Sequence, residues 1–258
     1  MYDMGTRERA LALVAQGRSL NSVSKETGVS RSAIRCWQSR IAPLPRMQRT
    51  PCSRCGPATE PPSNTAAYSY LLGLYFGDGC ISPGMRAGYV LRIACAIAWP
   101  GLIEACAAAI EAINPSKKSN RVQAVGYVSV VGYSQHWPCL FPQHGPGKKH
   151  ERPIVLESWQ QEIVGVHPWE FIRGLIHSDG CRITNWTEKV IAGERKRYEY
   201  PRYFFTNVSD DIRQLYTDTL DKLGIQWTHC TRNGNPFNIS VARKASVALM
   251  DAHVGPKY

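Results

Sequence analysis

The stretch Tyr70-Leu71-Leu72-Gly73-Leu74-Tyr75-Phe76-Gly77-Asp78-Gly79-Cys80 recurs farther along the chain as Phe171-Ile172-Arg173-Gly174-Leu175-Ile176-His177-Ser178-Asp179-Gly180-Cys181. The two align without a gap, so one supersecondary unit is used twice. Each copy is apolar at most positions, which predicts a helix buried nearly all round. Small residues sit four apart, Gly73 and Gly77 in one copy, Gly174 and Ser178 in the other. That spacing places them on one helix face and predicts a close backbone-to-backbone interface. Glycine inside a helix costs about 1 kcal/mol relative to alanine, and close contact is what offsets it here. Each copy ends in Asp-Gly, where the glycine reads as a helix C-cap. A carboxylate at the negative end of a helix dipole is unfavourable. Packed side by side, the two helices bring Asp78 and Asp179 together into a negative pocket suited to a hard divalent cation such as Mg²⁺. The plainer alternative is two buried acids that only cap helices, and burial without a cation makes that costly.

The paired motif resembles that of LAGLIDADG homing endonucleases. Asp78 and Asp179 match the last acid of the motif, which in that family binds the catalytic metals. The chain departs at Phe76 and His177, where the family name spells an acid. The resemblance covers roughly residues 67–258. It implies an α+β fold, a pseudo-two-fold pair of αββαββα repeats forming a saddle over double-stranded DNA, with the motif helices as the central interface. It also implies a chain monomeric through internal pseudo-symmetry, with Asp78 and Asp179 as catalytic and Mg²⁺-binding residues. The family tends to place a lysine or glutamine near each scissile phosphate. Aligning the repeats nominates Lys244 and Gln135 for that role, with Arg243 and Arg92 as further candidates; the ordinary reading of Arg243 and Lys244 is phosphate contact or solvated surface.

The bulk properties agree with a polyanionic partner. The 258-residue chain carries a net charge of +11, and 43% of it is hydrophobic, enough to bury a core. No run of 18 apolar residues occurs, so no membrane helix is expected. The start, Met1–Arg9, lacks the apolar core of a signal peptide, so a cytoplasmic location is expected. The nine cysteines are scattered and mostly flanked by apolar residues, as in a reducing compartment.

Residues 1–42 read as a separate helix-turn-helix domain. Helices are expected over Thr6–Gln16, Leu20–Thr27 and Arg31–Arg40, with Gly28-Val29-Ser30 as the turn and Ser30 capping the third helix. Ala33, Ile34 and Trp37 face inward, while Arg31, Ser32, Arg35, Gln38 and Arg40 form a polar, basic face for the major groove. A protein-binding three-helix cap is the alternative. Residues 43–66 are a proline-rich linker. Inside it Cys52-Ser53-Arg54-Cys55-Gly56 is half of a zinc knuckle, with His136, Cys139, His144 and His150 as a loose set of further ligands. A redox pair and inert thiols remain open for the same cysteines.

The 67–258 region divides into repeats 67–150 and 151–258, each reading α-β-β-α-β-β-α. Asn233-Gly234 marks a hairpin between strands over Ile225–Thr231 and Phe237–Val241. Basic residues gather near strand ends: Arg86, Lys117, Lys118, Arg121, Lys148, Lys149, Arg195, Lys196, Arg197, Arg202 and Arg232, interleaved with tyrosines. With Arg92 and Arg243 they are the expected DNA contacts. The function these residues predict is a sequence-specific, Mg²⁺-dependent double-strand DNA endonuclease with an extra tethered reader. The alternative is a DNA-binding transcription regulator that shares the fold and cuts nothing. An intein is not expected, because there is no His-Asn splice ending.

Overall fold

In a computed structural model the described residues are 3–29, 31–42, 52, 55, 60–84, 88–191, 193–232 and 235–258. Ser30, Arg86 and Asn233-Gly234, with the side chains of Ser32 and Arg232, lie outside them. The chain divides into two units, Met1–Pro51 and Cys52–Tyr258.

In the first unit, Asp3 caps α1 (Met4–Ala15) through Thr6 N, and Ser19 caps α2 (Leu20–Thr27) through Ser22 N. Gly28 turns the chain at φ +69°, a left-handed conformation that favours glycine, into α3 (Arg31–Ser39). Ala10, Val23, Val29, Ile34 and Trp37 form the buried core. Arg7 is buried with them, its guanidinium over the Trp37 ring and donating to Ile41 O at 2.9 Å.

In the second unit, Asn64 caps α4 (Thr65–Asp78), which starts two residues inside the stretch read as linker. Its counterpart is α8 (Pro168–Asp179), with proline at its first position. The helices run side by side in the same direction. Near their starts, Ser69 Oγ donates to His167 O at 2.8 Å and Thr65 Oγ1 lies 2.9 Å from His167 Nε2. At mid-length a Cβ on Gly73 would stand 2.9 Å from Gly174 Cα, and one on Gly174 would stand 2.9 Å from Leu74 N. Near the ends a Cβ on Gly77 would collide with the Ser178 side chain. The backbones therefore touch, as the small-residue spacing predicts, and only glycine fits at the crossing.

After α4 come β1 (Gly79–Pro83), β2 (Tyr89–Ala96), α5 (Pro100–Ile113), β3 (Asn120–Gln123), β4 (Tyr127–Ser134) and α6 (Trp137–Leu140). A linking helix, α7 (Ser158–Val166), precedes α8. Then follow β5 (Gly180–Ile191), β6 (Glu194–Thr206), α9 (Asp210–Lys222), β7 (Thr228–Arg232), β8 (Asn235–Val241) and α10 (Lys244–His253). Both repeats thus have the αββαββα order. Their four-stranded antiparallel sheets have the same topology, β1-β2-β4-β3 and β5-β6-β8-β7. β3 and β4 are separate strands because Gly126 turns the chain at φ +83°.

One face of each sheet is buried against helices. Leu91, Ile93, Cys95, Val128 and Val130 supply it in the first sheet, Tyr203, Phe205, Ile239 and Val241 in the second. One core joins both repeats through α4 and α8. The opposite faces carry Cys80, Ser82 and Arg92 in the first sheet, and Tyr198, Tyr200, Arg202 and Thr206 in the second. No helix among the described residues is long and apolar enough to cross a membrane.

Candidate active site

The parallel helix pair determines where the two aspartates go. α4 and α8 end in register, so Asp78 and Asp179 come together where the helices run into the first strand of each sheet. The glycines that follow are not left-handed caps: Gly79 and Gly180 are extended, at φ −90° and −110°. They are small because of space. A Cβ on Gly180 would stand 2.7 Å from Ile176 Cα, and one on Gly79 would stand 2.8 Å from Tyr75 O.

Asp179 is half-buried, while Asp78 has the more exposed side chain of the two. Burial and then the neighbouring Asp78 charge push the Asp179 carboxyl up to about 6; burial also raises Asp78, opposed by Lys257 and Lys149. Asn207 Nδ2 donates to Asp179 Oδ2 at 2.6 Å, which orients that carboxylate. A cavity of about 460 Å³ opens beside Asp179, lined in part by Tyr75, Gly77, Cys80, Lys149 and Asn207.

Two lysines face these carboxylates. Lys149 Nζ donates to Gly77 O at 2.6 Å, to Gly79 O at 2.8 Å and to Tyr75 O. It thereby satisfies the orphan carbonyls at the end of α4. Lys257 Nζ donates to Ser178 O at 2.8 Å, at the end of α8. Burial brings the Lys149 ammonium down to about 8, against the opposing pull of Asp179 and Asp78. Burial lowers Lys257 as well.

This changes the role expected of Lys149. It is no surface contact on a strand end; it is half-buried because three helix-end carbonyls and two carboxylates attract its ammonium. Lys257 escaped the sequence reading. A signal was present: each repeat closes on a Gly/Pro stretch with lysine, Gly145-Pro146-Gly147-Lys148-Lys149 and Gly255-Pro256-Lys257. The nominated Lys244 and Gln135 are not in this cavity. Lys244 opens α10 after Arg243, which stands at the N-cap position without a side-chain capping bond, and both are exposed. Gln135 is exposed between β4 and α6. His177, where the family name spells an acid, is an interface residue. Its Nδ1 lies 2.9 Å from Tyr70 Oη across the helix pair, and burial brings it down to about 4, so it is neutral at pH 7.

The remaining basic residues fall on two sides. On the open face, Arg92 lies across from Cys80 and donates to Ser82 Oγ at 2.5 Å. Arg202 stacks on Phe204 and Tyr200, at 4.8 and 5.6 Å, and its buried Nε has no hydrogen-bond partner among the described residues. Arg195, Lys196 and Arg197 are exposed on the long β5–β6 ribbon, where Arg197 covers Trp186 at 4.9 Å and pairs with Glu199. Toward the helices, Arg121 is held by Glu104 and Lys118 by Glu111. Lys117 and Lys148 are exposed in loops. In the first unit Arg35, Gln38 and Arg40 are exposed, and so is Arg31, which donates to Asn21 Oδ1 at 2.9 Å. Cys52 and Cys55 are not part of the cavity; they meet His136 and Cys139 at the start of α6.

No family model matches the chain, and no curated protein matches it. Among solved structures it is similar to mesophilic variants of the homing endonuclease I-DmoI, at 14% identity over 74% of this chain and 96% of that one, with a TM-score of 0.47. It is also similar to the LAGLIDADG homing endonuclease I-SmaMI bound to cleaved DNA, at 8% identity over 70% and 79%, TM-score 0.45. A third is the N-terminal LAGLIDADG domain of DUF199/WhiA, at 12% identity over 76% and 84%, TM-score 0.44.

Proposed function

We propose that the chain is a metal-dependent endonuclease acting on double-stranded DNA, with Asp78 and Asp179 at its catalytic centre. The observation that carries this reading is the joining of two carboxylates at the ends of two touching helices, where burial and then the Asp78 charge push the Asp179 carboxyl up to about 6. A buried carboxylate beside a like charge is a site that a cation would relieve. Hard oxygen donors on a pseudo-two-fold axis fit Mg²⁺, with Asp78 and Asp179 as the residues that would hold it. When bound, such an ion lowers the pKa of a water and neutralises charge on the phosphate.

The chain's own residues supply the rest. Asn207 fixes the Asp179 carboxylate. Lys149 and Lys257 bring positive charge to the end of each motif helix, where a scissile phosphate would be held. The open sheet faces, with Arg92, Arg202 and the β5–β6 ribbon, grip the phosphate backbone. The exposed face of α3, with Arg31, Arg35, Gln38 and Arg40, adds a second reader on a tether, which raises affinity by effective concentration.

A second reading, a DNA-binding regulator that does not cut, is favoured by one observation. The Lys149 ammonium already neutralises the α4 end, donating to three carbonyls beside Asp78. The two readings separate in a cleavage assay on a random-site plasmid library with Mg²⁺, comparing wild type with Asp78→Asn and Asp179→Asn. Double-strand cuts by the wild type alone support the nuclease. Specific binding with equal, background nicking by all three supports the regulator.

A further inference from the structure

The chemistry that the nuclease reading leaves unused sits at the other end of repeat one. Cys52 and Cys55, from the stretch before α4, meet His136 and Cys139 at the start of α6, and the four donor atoms all lie within 4.8 Å of one another. Cys55 Sγ is 3.1 Å and Cys52 Sγ 3.5 Å from the same imidazole nitrogen, His136 Nδ1. Among the described residues this is the only group of three or more His, Cys, Asp or Glu side chains so placed.

We infer that Cys52, Cys55, His136 and Cys139 form a structural zinc site that clamps the stretch before α4 onto repeat one. Tetrahedral zinc, with Zn–S of about 2.3 Å and Zn–N of about 2.0 Å, sets S···N separations near ~3.5 Å and S···S separations near ~3.8 Å. The two S···N separations, 3.1 and 3.5 Å, lie close to the first value, and every other pair of donor atoms is within 4.8 Å. Three thiolates and one imidazole are soft and borderline donors, the set that selects zinc over Mg²⁺ or Ca²⁺. A closed set of four protein ligands is the mark of a structural site, in contrast to the open oxygen site at Asp78 and Asp179.

Both halves of the cluster are held by local geometry. Cys55 N donates to Cys52 O at 3.2 Å, which holds the two cysteines near one another. His136 precedes α6 and Cys139 lies in its only turn, with Cys139 N donating to His136 O at 3.0 Å. That turn is rigid. Trp137 is fully buried with its Nε1 donating to Gly132 O, and Tyr68 Oη donates to Leu140 O at 2.5 Å. His144 stands apart, against the Tyr89 ring, and His150 is exposed, so neither is a ligand. A redox role for Cys52 and Cys55 is disfavoured because a third sulfur and an imidazole close over the pair.

An ion here fixes the chain to repeat one at Cys52. The span left to join the N-terminal helices is then 43–51, not the whole proline-rich stretch 43–66. A shorter span raises the effective concentration of a second DNA reader.

The test uses the full chain, purified under reducing conditions from zinc-supplemented cells. Expected is one zinc per chain by elemental analysis, released by a thiol-reactive mercurial, and reduced to none in Cys52→Ser and in Cys139→Ser. Cys80→Ser and Cys230→Ser retain it. Co²⁺ added to stripped protein gives thiolate charge-transfer absorption and the strong visible bands of a tetrahedral ion. Tryptic cleavage after Arg54, between the two cysteines, speeds up by at least about tenfold on chelation. A wild type that holds neither zinc nor Co²⁺, iron in place of zinc, full zinc in Cys52→Ser, or a Cys52–Cys55 disulfide in the purified protein would each overturn the assignment. DNA cleavage enters none of these readouts, so the clamp and the nuclease reading fail separately.

Discussion

The two repeats share one topology and differ in their first hairpin. In repeat one, β1 and β2 are 5 and 8 residues long, and the sheet ends close to the core. In repeat two, β5 and β6 reach 12 and 13 residues, and their outer halves are exposed on both sides. That ribbon carries Trp186, Tyr198 and Arg195-Lys196-Arg197 beyond the packed region. The inner parts of the repeats match because they meet in one interface, where a change on either helix strikes the other. The outer parts are under no such constraint. Symmetry here belongs to the helix pair and the two aspartates, while reach along a ligand is set separately by each half.

The largest break between the halves comes at the crossing itself. Gly73→Val or Gly174→Val drives side-chain atoms into the partner helix backbone, and each should cost on the order of 4 kcal/mol or prevent folding. Gly193→Ala, in the open turn of the long ribbon at φ +82°, should cost only about 1 kcal/mol. Urea denaturation of the three variants checks this. Equal losses would mean the helices are not in backbone contact.

Next is the symmetry of the acids. On the nuclease reading, Asp78→Asn and Asp179→Asn should each lower double-strand cleavage by at least roughly 100-fold. Supercoiled, nicked and linear products distinguish the two halves. Nicking of one strand by either variant would mean that each half cuts its own strand.

The same two variants differ in stability. Asp179 titrates near 6 in the folded protein, against 3.8 for an ordinary aspartate. Folded protein thus keeps this proton between about pH 4 and 6, where the unfolded chain has released it. The stabilisation is complete below about pH 4 and is gone above about pH 6. In metal-free protein at pH 7.5, Asp179→Asn should therefore raise stability by on the order of 2 kcal/mol, fading towards pH 4. Asp78→Asn should give a smaller gain, since the two lysines offset the burial of Asp78. Thermal melts across pH 4–8 measure both. An unchanged melting temperature for Asp179→Asn at pH 7.5 would contradict the burial described here.

The smallest effect on the fold is expected at the ribbon. Replacing Arg195, Lys196 and Arg197 together by alanine should leave stability within about 0.5 kcal/mol, because all three are exposed. On the DNA-binding reading it should weaken duplex binding and reduce the salt slope by about 0.9 for each phosphate no longer neutralised. A slope that does not move would assign the ribbon to another partner.

Much of the framework was legible along the chain because it rests on short-range spacing. Small residues four apart, an Asp-Gly ending and its gapless recurrence need only a helix of 3.6 residues per turn to predict touching helices and paired acids. The α3 face with Ala33, Ile34 and Trp37 turned inward follows from the same period. The role of Lys149 was misassigned and Lys257 was missed for the opposite reason. Lys149 and Lys257 lie far from the partner repeat's aspartate in sequence, and the Gly/Pro stretch that each follows marks a shared position without showing that the ammonium is drawn to the helix ends. Even the Asp-Gly glycines are required for a different reason than their local pattern suggests, close approach and not a left-handed turn.

The repeat, the helix contact and the pairing of two carboxylates are thus written in the chain itself, all encoded by periodicity within a few helical turns. Which cations meet those carboxylates, and which histidine and third cysteine close over Cys52 and Cys55, is settled in three dimensions alone. Those choices join segments separated by tens of residues, and the packing of the core, anchored at Trp137 and Tyr68, is what brings them together.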